Sequence, residues 1–323
     1  MGRTGTPVGV VGLGAWQLGG DWGEVDEDQA FATLGAAVEA GVSFIDTADV
    51  YGDGRSEKIV GQFRKQLPGE TRVVVATKMG RRVEQVPENY TLDNFRRWND
   101  RSRENLDVET IDLVQLHCPP SIVYSTDAVF DALDTLVQEK RIAAYGVSVE
   151  TAAEALTAIA RPAVATVQII LNMLRLKPLD EVLPAALEAG VGIIARVPLA
   201  SGLLSGRYDE HTTFSADDHR TYNRHGAAFD QGETFSGVDF DLGLEAVRRL
   251  APLRPEGATM TQFALRWIID HQAVSVVIPG ARNPSQARLN ADTADLAPLP
   301  EQVHHQVEAI YDELIRPSVH HKW

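Results

Sequence analysis

The stretch Val10-Val11-Gly12-Leu13-Gly14-Ala15-Trp16-Gln17 carries a short apolar run into a glycine pair. An open, doubly wound parallel sheet places its phosphate-binding loop at such a point, and that loop needs a third glycine three positions after the second. Gln17 stands there instead, and the chain holds no GxxxxGK[ST] sequence. The segment therefore reads as a first strand and its turn, without the signature of an open nucleotide-binding sheet.

Working outward, β-branched runs recur at 8–13, 43–47, 72–78, 111–117, 143–147, 166–170, 192–197 and 275–279, with amphipathic segments between them. That rhythm predicts eight βα units. Helix starts are marked where Asp26 precedes Gln29, Thr91 precedes Asn94 and Thr259 precedes Gln262, each pair spaced for an N-cap and a polar residue three positions on. Gly41 and Gly190 each stop a helix just before a strand, as glycine does by accepting positive φ. The expectation is a (β/α)8 TIM barrel, an α/β fold, as a single domain over residues 1–323. The loop after the seventh strand, about 200–239, is long enough to suggest function or movement.

The length of 323 residues suits a barrel of about 250 residues with insertions. Thirty Lys+Arg against 45 Asp+Glu give a net charge of -15, which repels nucleic acid and anionic membrane over most of the surface. An anionic ligand would need a local basic pocket. The single cysteine, Cys118, excludes an intramolecular disulfide and a cysteine zinc cluster, and fits a reducing, cytoplasmic setting. Glycines interrupt the apolar N-terminus, so neither an export signal nor a membrane span is expected.

In a barrel the chemistry gathers at the C-terminal ends of the strands. There the sequence places Asp46 in FIDTADVYG with Tyr51 following, Lys78 in VVVATK and His117 in VQLHCPP. A phenol has a pKa of about 10. A neighbouring ammonium favours its ionised form, a carboxylate keeps that ammonium charged, and an imidazole can orient a carbonyl oxygen. The four read as a proton-transfer set with Tyr51 as general acid and base, His117 neutral, and the Lys78 charge lowering the pKa of Tyr51.

Together with RSEKIVG, VSVETAAEAL, RVPLASGLLSG and IPGARNPSQARLN, these motifs resemble the successive motifs of the aldo-keto reductase family over nearly the whole chain. The resemblance implies that the family's catalytic tetrad falls on Asp46, Tyr51, Lys78 and His117, and that NADP(H) lies across the barrel mouth. It further implies reduction of an aldehyde or ketone, with Ser148 and Gln168 holding the nicotinamide amide. Backbone N–H groups of the turn carrying Pro198, Leu199, Ser201, Gly202 and Leu204 would face the pyrophosphate.

Independently of the resemblance, Asn283 and Pro284 read as the N-cap and first turn of a helix. Gly280 and Arg282 precede it, and Gln286 and Asn290 share one face of it. A guanidinium at a helix N-terminus suits a 2′-phosphate and favours NADP(H) over NAD(H).

Two departures from the family pattern stand out. Val149 replaces a frequent Asn, and Arg196 replaces a frequent aromatic that stacks on nicotinamide; it can stack there itself or be held in an ion pair. The segment from Gly2 to Val8 resembles only the second arm of the family's N-terminal hairpin, which predicts a less covered barrel bottom.

Trp16, Trp22 and Met79 are expected to rim the pocket and to favour an apolar or ring-bearing portion of a small-molecule carbonyl substrate. The rival function is an NADPH-binding regulatory subunit with little turnover, since the family resemblance extends to potassium-channel β subunits. A metal hydrolase built on His117, His211, His219 or His225 lacks the paired HxH or HExxH spacing, and no metal site is expected. His304-His305 and His320-His321 read as surface pairs. The tail ending in Trp323 can pack on a neighbour or fold back over the site, and oligomeric state stays open.

Overall fold

The computed structural model describes residues 1–19 and 26–323. Eight parallel strands follow one another round the sheet in chain order: β1 (Leu13–Gly14), β2 (Phe44–Asp46), β3 (Val74–Met79), β4 (Leu113–His117), β5 (Tyr145–Ser148), β6 (Val164–Ile170), β7 (Gly192–Arg196) and β8 (Val274–Val277). The last meets the first. The Gly12 N–H donates to the Val277 carbonyl at 2.8 Å and the Gly14 N–H to that of Pro279 at 3.0 Å. The expected (β/α)8 barrel is thus the observed one.

Seven of the anticipated strands agree with the structure to within two residues at each end. The first is shortened to a two-residue ladder with a bridge from Val11 to Val277. The glycine pair explains its course: a Cβ at Gly12 would lie 2.9 Å from the Phe44 carbonyl oxygen and 3.0 Å from Val276 Cγ2. The barrel seam closes there because no side chain intervenes.

Alternation along each strand sorts its residues between two apolar layers. Phe44, Val74, Ala76, Leu113, Ile194 and Val276 fill the barrel interior. Ile45, Val75, Val114, Val147, Val167, Ile193 and Val277 belong to the larger core between strands and helices. Two residues beyond an interior Phe44, Ala76, Gln115 or Ile194, the same face carries Asp46, Lys78, His117 or Arg196. The period of two therefore delivers polar groups to the barrel's C-terminal mouth, above an apolar plug.

The helices begin and end as their caps direct. Thr259 and Gln262 form a reciprocal capping box, Thr91 accepts from the Asn94 N–H, and Asp26 accepts from the Asp28 N–H. Thr151 with Glu154 forms a second box that the sequence reading missed. Gly41 at φ 94° and Gly190 at φ 68° mark the helix ends before β2 and β7.

The barrel bottom is better covered than expected. Gly2–Thr4 forms a 3-10 turn rather than a hairpin arm, and Met1 and Val8 pack against the interior cluster. Arg3 donates to the carbonyls of Arg161, Val164 and Ala189 at 2.6, 2.9 and 3.1 Å. At the other end of the chain Trp323 folds back, with the Arg175 guanidinium 4.0 Å from its ring centroid. Among the described residues no helix is long and apolar enough to cross a membrane.

Candidate active site

The four strand-end residues converge. Lys78 Nζ contacts Asp46 Oδ1, donates to the Thr47 carbonyl at 2.9 Å, and lies 3.3 Å from the Tyr51 hydroxyl. The Tyr51 ring meets His117 edge-on with centroids 6.0 Å apart. Tyr51 reaches this place from the turn after β2, where Gly52 adopts φ 56° and a Cβ there would fall 2.0 Å from the Gly19 carbonyl oxygen. A side chain at position 52 would push that turn off the barrel.

Asp46 is held from three sides. Besides Lys78, its Oδ2 accepts from the Gln115 amide at 3.1 Å and from the Gln168 amide at 2.8 Å. Gln168 also donates to Gln115 Oε1 at 3.2 Å. Gln115 escaped the sequence reading, although its place two residues before His117 puts it on the same face of β4. Lys78 and Asp46 are 1% and 3% exposed, so removing either partner would strand a buried charge, at a cost of roughly 3–5 kcal/mol.

Burial works against the Lys78 charge, but Asp46 and Tyr51 outweigh it and hold the ammonium above its ordinary pKa. Tyr51 differs from expectation. Burial raises its hydroxyl and the nearby Lys78 only partly offsets this, so the net direction is upward. The phenol thus keeps its proton through the neutral range. His117 is pushed well below its ordinary value by burial and by Arg81, Lys78 and Arg196. It is neutral, as anticipated, and its buried Nδ1 has no hydrogen-bond partner.

Two cavities meet at this set. An inner cleft of about 430 Å³ runs from Gly14–Gln17 past the strand ends to the helix Pro284–Ala291. An outer cavity of about 910 Å³ opens beyond the ring of Tyr51. Tyr51, His117, Trp16 and Glu233 line both.

The inner cleft gathers eleven of the twelve anticipated ligand-binding positions: Ser148, Gln168, Arg196, Pro198, Leu199, Ser201, Gly202, Gly280, Arg282, Gln286 and Asn290. Leu204 does not belong. It is fully buried in the core, and its N–H is taken by the Leu199 carbonyl at 3.1 Å. The Gly202 N–H is likewise taken by Leu199 at 2.9 Å, so this turn spends amides on itself.

Asn283 caps its helix by accepting from the Gln286 N–H at 2.9 Å, as expected. Gln286 Oε1 accepts from the Arg282 N–H at 2.9 Å and Asn290 donates to the Gly280 carbonyl at 3.2 Å. Both side chains therefore also fix the loop that presents Arg282. Arg207, Tyr208 and Arg220 complete the cleft from the long loop after β7 and were not foreseen.

Arg196 takes the ion-pair alternative. Its Nη1 lies 2.9 Å from Glu233 and its Nη2 donates to the Val149 carbonyl at 3.0 Å. The guanidinium edge is thereby held in place. Burial opposes the Glu233 charge, but Arg196 and Arg81 outweigh it and lower the carboxyl. Burial pushes Glu150 and Asp230 upward.

The outer cavity corrects the substrate-rim reading. Trp16 does line it. Met79 does not: β3 runs one residue further than predicted, alternation turns Met79 away from the interior, and it is 1% exposed in the core between strands and helices. Trp22 lies outside the described residues. The lining is strongly polar, with Arg81, Glu150, Glu154, Asp230 and Glu233, alongside Phe229 and Tyr222 from the long loop. Arg81 pairs with Glu150 at 2.9 Å and with Glu233 at 3.7 Å.

The histidines of the hydrolase alternative do not assemble a metal cage. His219 is buried beside Ser201 and Trp16, His211 and His225 are exposed, and no group of three metal-ligating side chains is suitably placed among the described residues. The surface-histidine reading holds for His305 and His321. It fails for their neighbours: His304 leans on Trp267 and His320 pairs with Asp180 at 2.9 Å.

Fold and site together define a (β/α)8 barrel with Asp46, Lys78, Tyr51 and His117 clustered at its C-terminal mouth, between a basic cleft and a second cavity. The chain belongs to the aldo/keto reductase family, whose pattern it matches over residues 10–312. It is 30% identical over 288 residues to aldo-keto reductase YhdN of Bacillus subtilis (strain 168), covering 88% of this chain and 84% of that one. Among solved structures it is similar to the glycerol dehydrogenase of Gluconobacter oxydans, at 31% identity and a TM-score of 0.78, over 96% of this chain and 94% of the other. It is also similar to an aldo-keto reductase from Klebsiella pneumoniae in complex with NADPH, at 25% identity and a TM-score of 0.69, over 94% and 91% of the two chains.

Proposed function

We propose that this protein reversibly reduces a small aldehyde or ketone to the alcohol with NADP(H), and that Tyr51 is its general acid and base. The observation that carries this reading is the position of Tyr51 and His117 on the shared wall of the two cavities. A carbonyl entering from the outer cavity meets a phenol and an imidazole while its carbon faces the inner cleft.

The cleft's chemistry fits a phosphorylated dinucleotide. In a chain of net charge -15, Arg196, Arg207, Arg220 and Arg282 line it, and its two carboxylates, Asp46 and Glu233, are paired with Lys78 and Arg196. Arg282 beside a capped helix N-terminus suits a 2′-phosphate, and the Ser148 hydroxyl and the Gln168 side-chain oxygen offer a donor and an acceptor for an amide at the tetrad end. The NADPH-bound relative supports the same choice of cofactor. When bound, the cofactor supplies or accepts the hydride.

The chain's own residues handle the proton. Tyr51 donates its hydroxyl proton to the carbonyl oxygen in reduction and takes it back in oxidation. Lys78, 3.3 Å away, stabilises the phenolate left behind, and Asp46 holds Lys78 in place. Neutral His117 donates a hydrogen bond to the same oxygen and fixes its direction. The Gln115–Gln168 pair keeps Asp46 from rotating away.

The test is NADPH oxidation followed by absorbance across a panel of aldehydes and ketones, with Tyr51→Phe alongside. The variant is expected to lose turnover by about 10²–10⁴-fold while binding NADPH as the parent does. Unchanged turnover in Tyr51→Phe would contradict the assignment. Tight NADPH binding with no turnover of any carbonyl by the parent would favour a regulatory role.

A further inference from the structure

Arg196 places a permanent positive charge at the tetrad end of the inner cleft. It ends β7 and is 7% exposed, and a guanidinium keeps its proton in a protein. Its Nη2 donates to the carbonyl of Val149, next to Ser148, and lies 3.8 Å from the sulfur of Cys118, next to His117. This is the end at which Ser148 and Gln168 offer an amide its donor and acceptor. Lys78 there is matched by Asp46. Arg196 is matched by Glu233 at 2.9 Å, while Arg81 lies 3.7 Å from Glu233 and closer, at 2.9 Å, to Glu150. Glu233 belongs to no strand: it ends a short 3-10 turn, Gln231–Glu233, in the long loop after β7.

We infer that Glu233 sets the balance between the oxidised and reduced forms of the bound cofactor, by cancelling the charge that Arg196 brings to the nicotinamide end of the cleft. This rests on the NADP(H) reading above and goes beyond it to name the residue that poises the cofactor. A nicotinamide ring is cationic when oxidised and neutral when reduced, whereas the phosphates are the same in both forms. An uncancelled guanidinium at that end therefore weakens NADP⁺ selectively, and Arg282 at the phosphate end acts on both forms alike. At an effective dielectric constant of about 20, one unit charge a few ångströms away shifts a binding constant by about tenfold or more. Burial opposes the Glu233 charge, but Arg196 and Arg81 outweigh it and keep the carboxyl ionised. The pair is then neutral overall and both forms are held, as a reversible reaction requires.

The experiment measures the Kd of NADP⁺ and of NADPH by titration calorimetry, with no carbonyl present, in the parent, Glu233→Gln, Arg196→Gln and the double variant. Glu233→Gln keeps the shape of the side chain and an oxygen acceptor for Arg196 but loses the charge. It is expected to raise the ratio of the NADP⁺ Kd to the NADPH Kd by about tenfold, which raises the potential of the bound couple by about 30 mV. Arg196→Gln leaves Glu233 uncancelled and moves the ratio the other way. The double variant, with both charges gone, returns it to within about threefold of the parent value.

The two single variants carry opposite signs, so either one tests the claim where the other folds poorly. Loss of packing alone would weaken both forms together. An unchanged ratio in Glu233→Gln or Arg196→Gln, with both forms still bound, overturns the inference and leaves the cofactor reading standing. A parent protein that binds neither form overturns that reading, and the inference with it.

Discussion

The inner cleft and the outer cavity share Trp16, Tyr51, His117 and Glu233 yet present opposite charge. Arginines dominate the cleft, with its carboxylates neutralised. Carboxylates dominate the cavity, with its one arginine neutralised. A chain of net charge -15 thus carries a locally basic cleft beside a locally acidic cavity. Local composition, not net charge, sets the charge that each cavity presents. Glu233 is the hinge of the contrast, because it faces the cavity while cancelling the Arg196 charge that faces the cleft.

The contrast can be broken first at its basic end. Arg282→Ala should raise the KM for NADPH by about tenfold or more while changing that for NADH far less, since a charged hydrogen-bonding pair is lost only with the 2′-phosphate. Equal effects on both cofactors would remove Arg282 from phosphate recognition.

A smaller effect sharpens the acidic end. Trp323 packs against Arg175 and against Gly232 and Gly237, the segment that positions Glu233. Trp323→Ala should raise the substrate KM several-fold, leave kcat nearly unchanged, and lower stability in urea by about 1–3 kcal/mol. A fall in kcat with KM unaltered would mean that the tail supports the tetrad rather than the cavity wall.

The barrel and its tetrad were legible because strand periodicity is local: a two-residue alternation ending in Asp46, Lys78 or His117 states both the strand and the direction of its last side chain. The helix at Pro284 was legible for the same reason, through its Asn283 cap. Met79 and Leu204 were misplaced where one residue of strand length or one turn of a loop decides between pocket and core. The charge network of Arg81, Glu150, Asp230 and Glu233 was not legible at all. Its members lie on three separate loops, and the segment holding Glu233 has no periodicity to predict its path. The upward shift at Tyr51 was missed because sequence shows the lysine but not the burial that outweighs it.

Tyr51, not His117, is the proposed proton donor, and the pH dependence of kcat/KM in the two directions tests this most directly. Tyr51 is raised, so its protonated form persists through neutral pH. Carbonyl reduction should hold steady there and fall only at strongly alkaline pH, while alcohol oxidation should rise as pH increases toward that range. His117 is lowered well below its ordinary value, so reduction that depended on its protonated form would require acid and fade before neutrality. A flat reduction profile across the neutral range is the predicted result; a decline from acid to neutral pH would contradict the account.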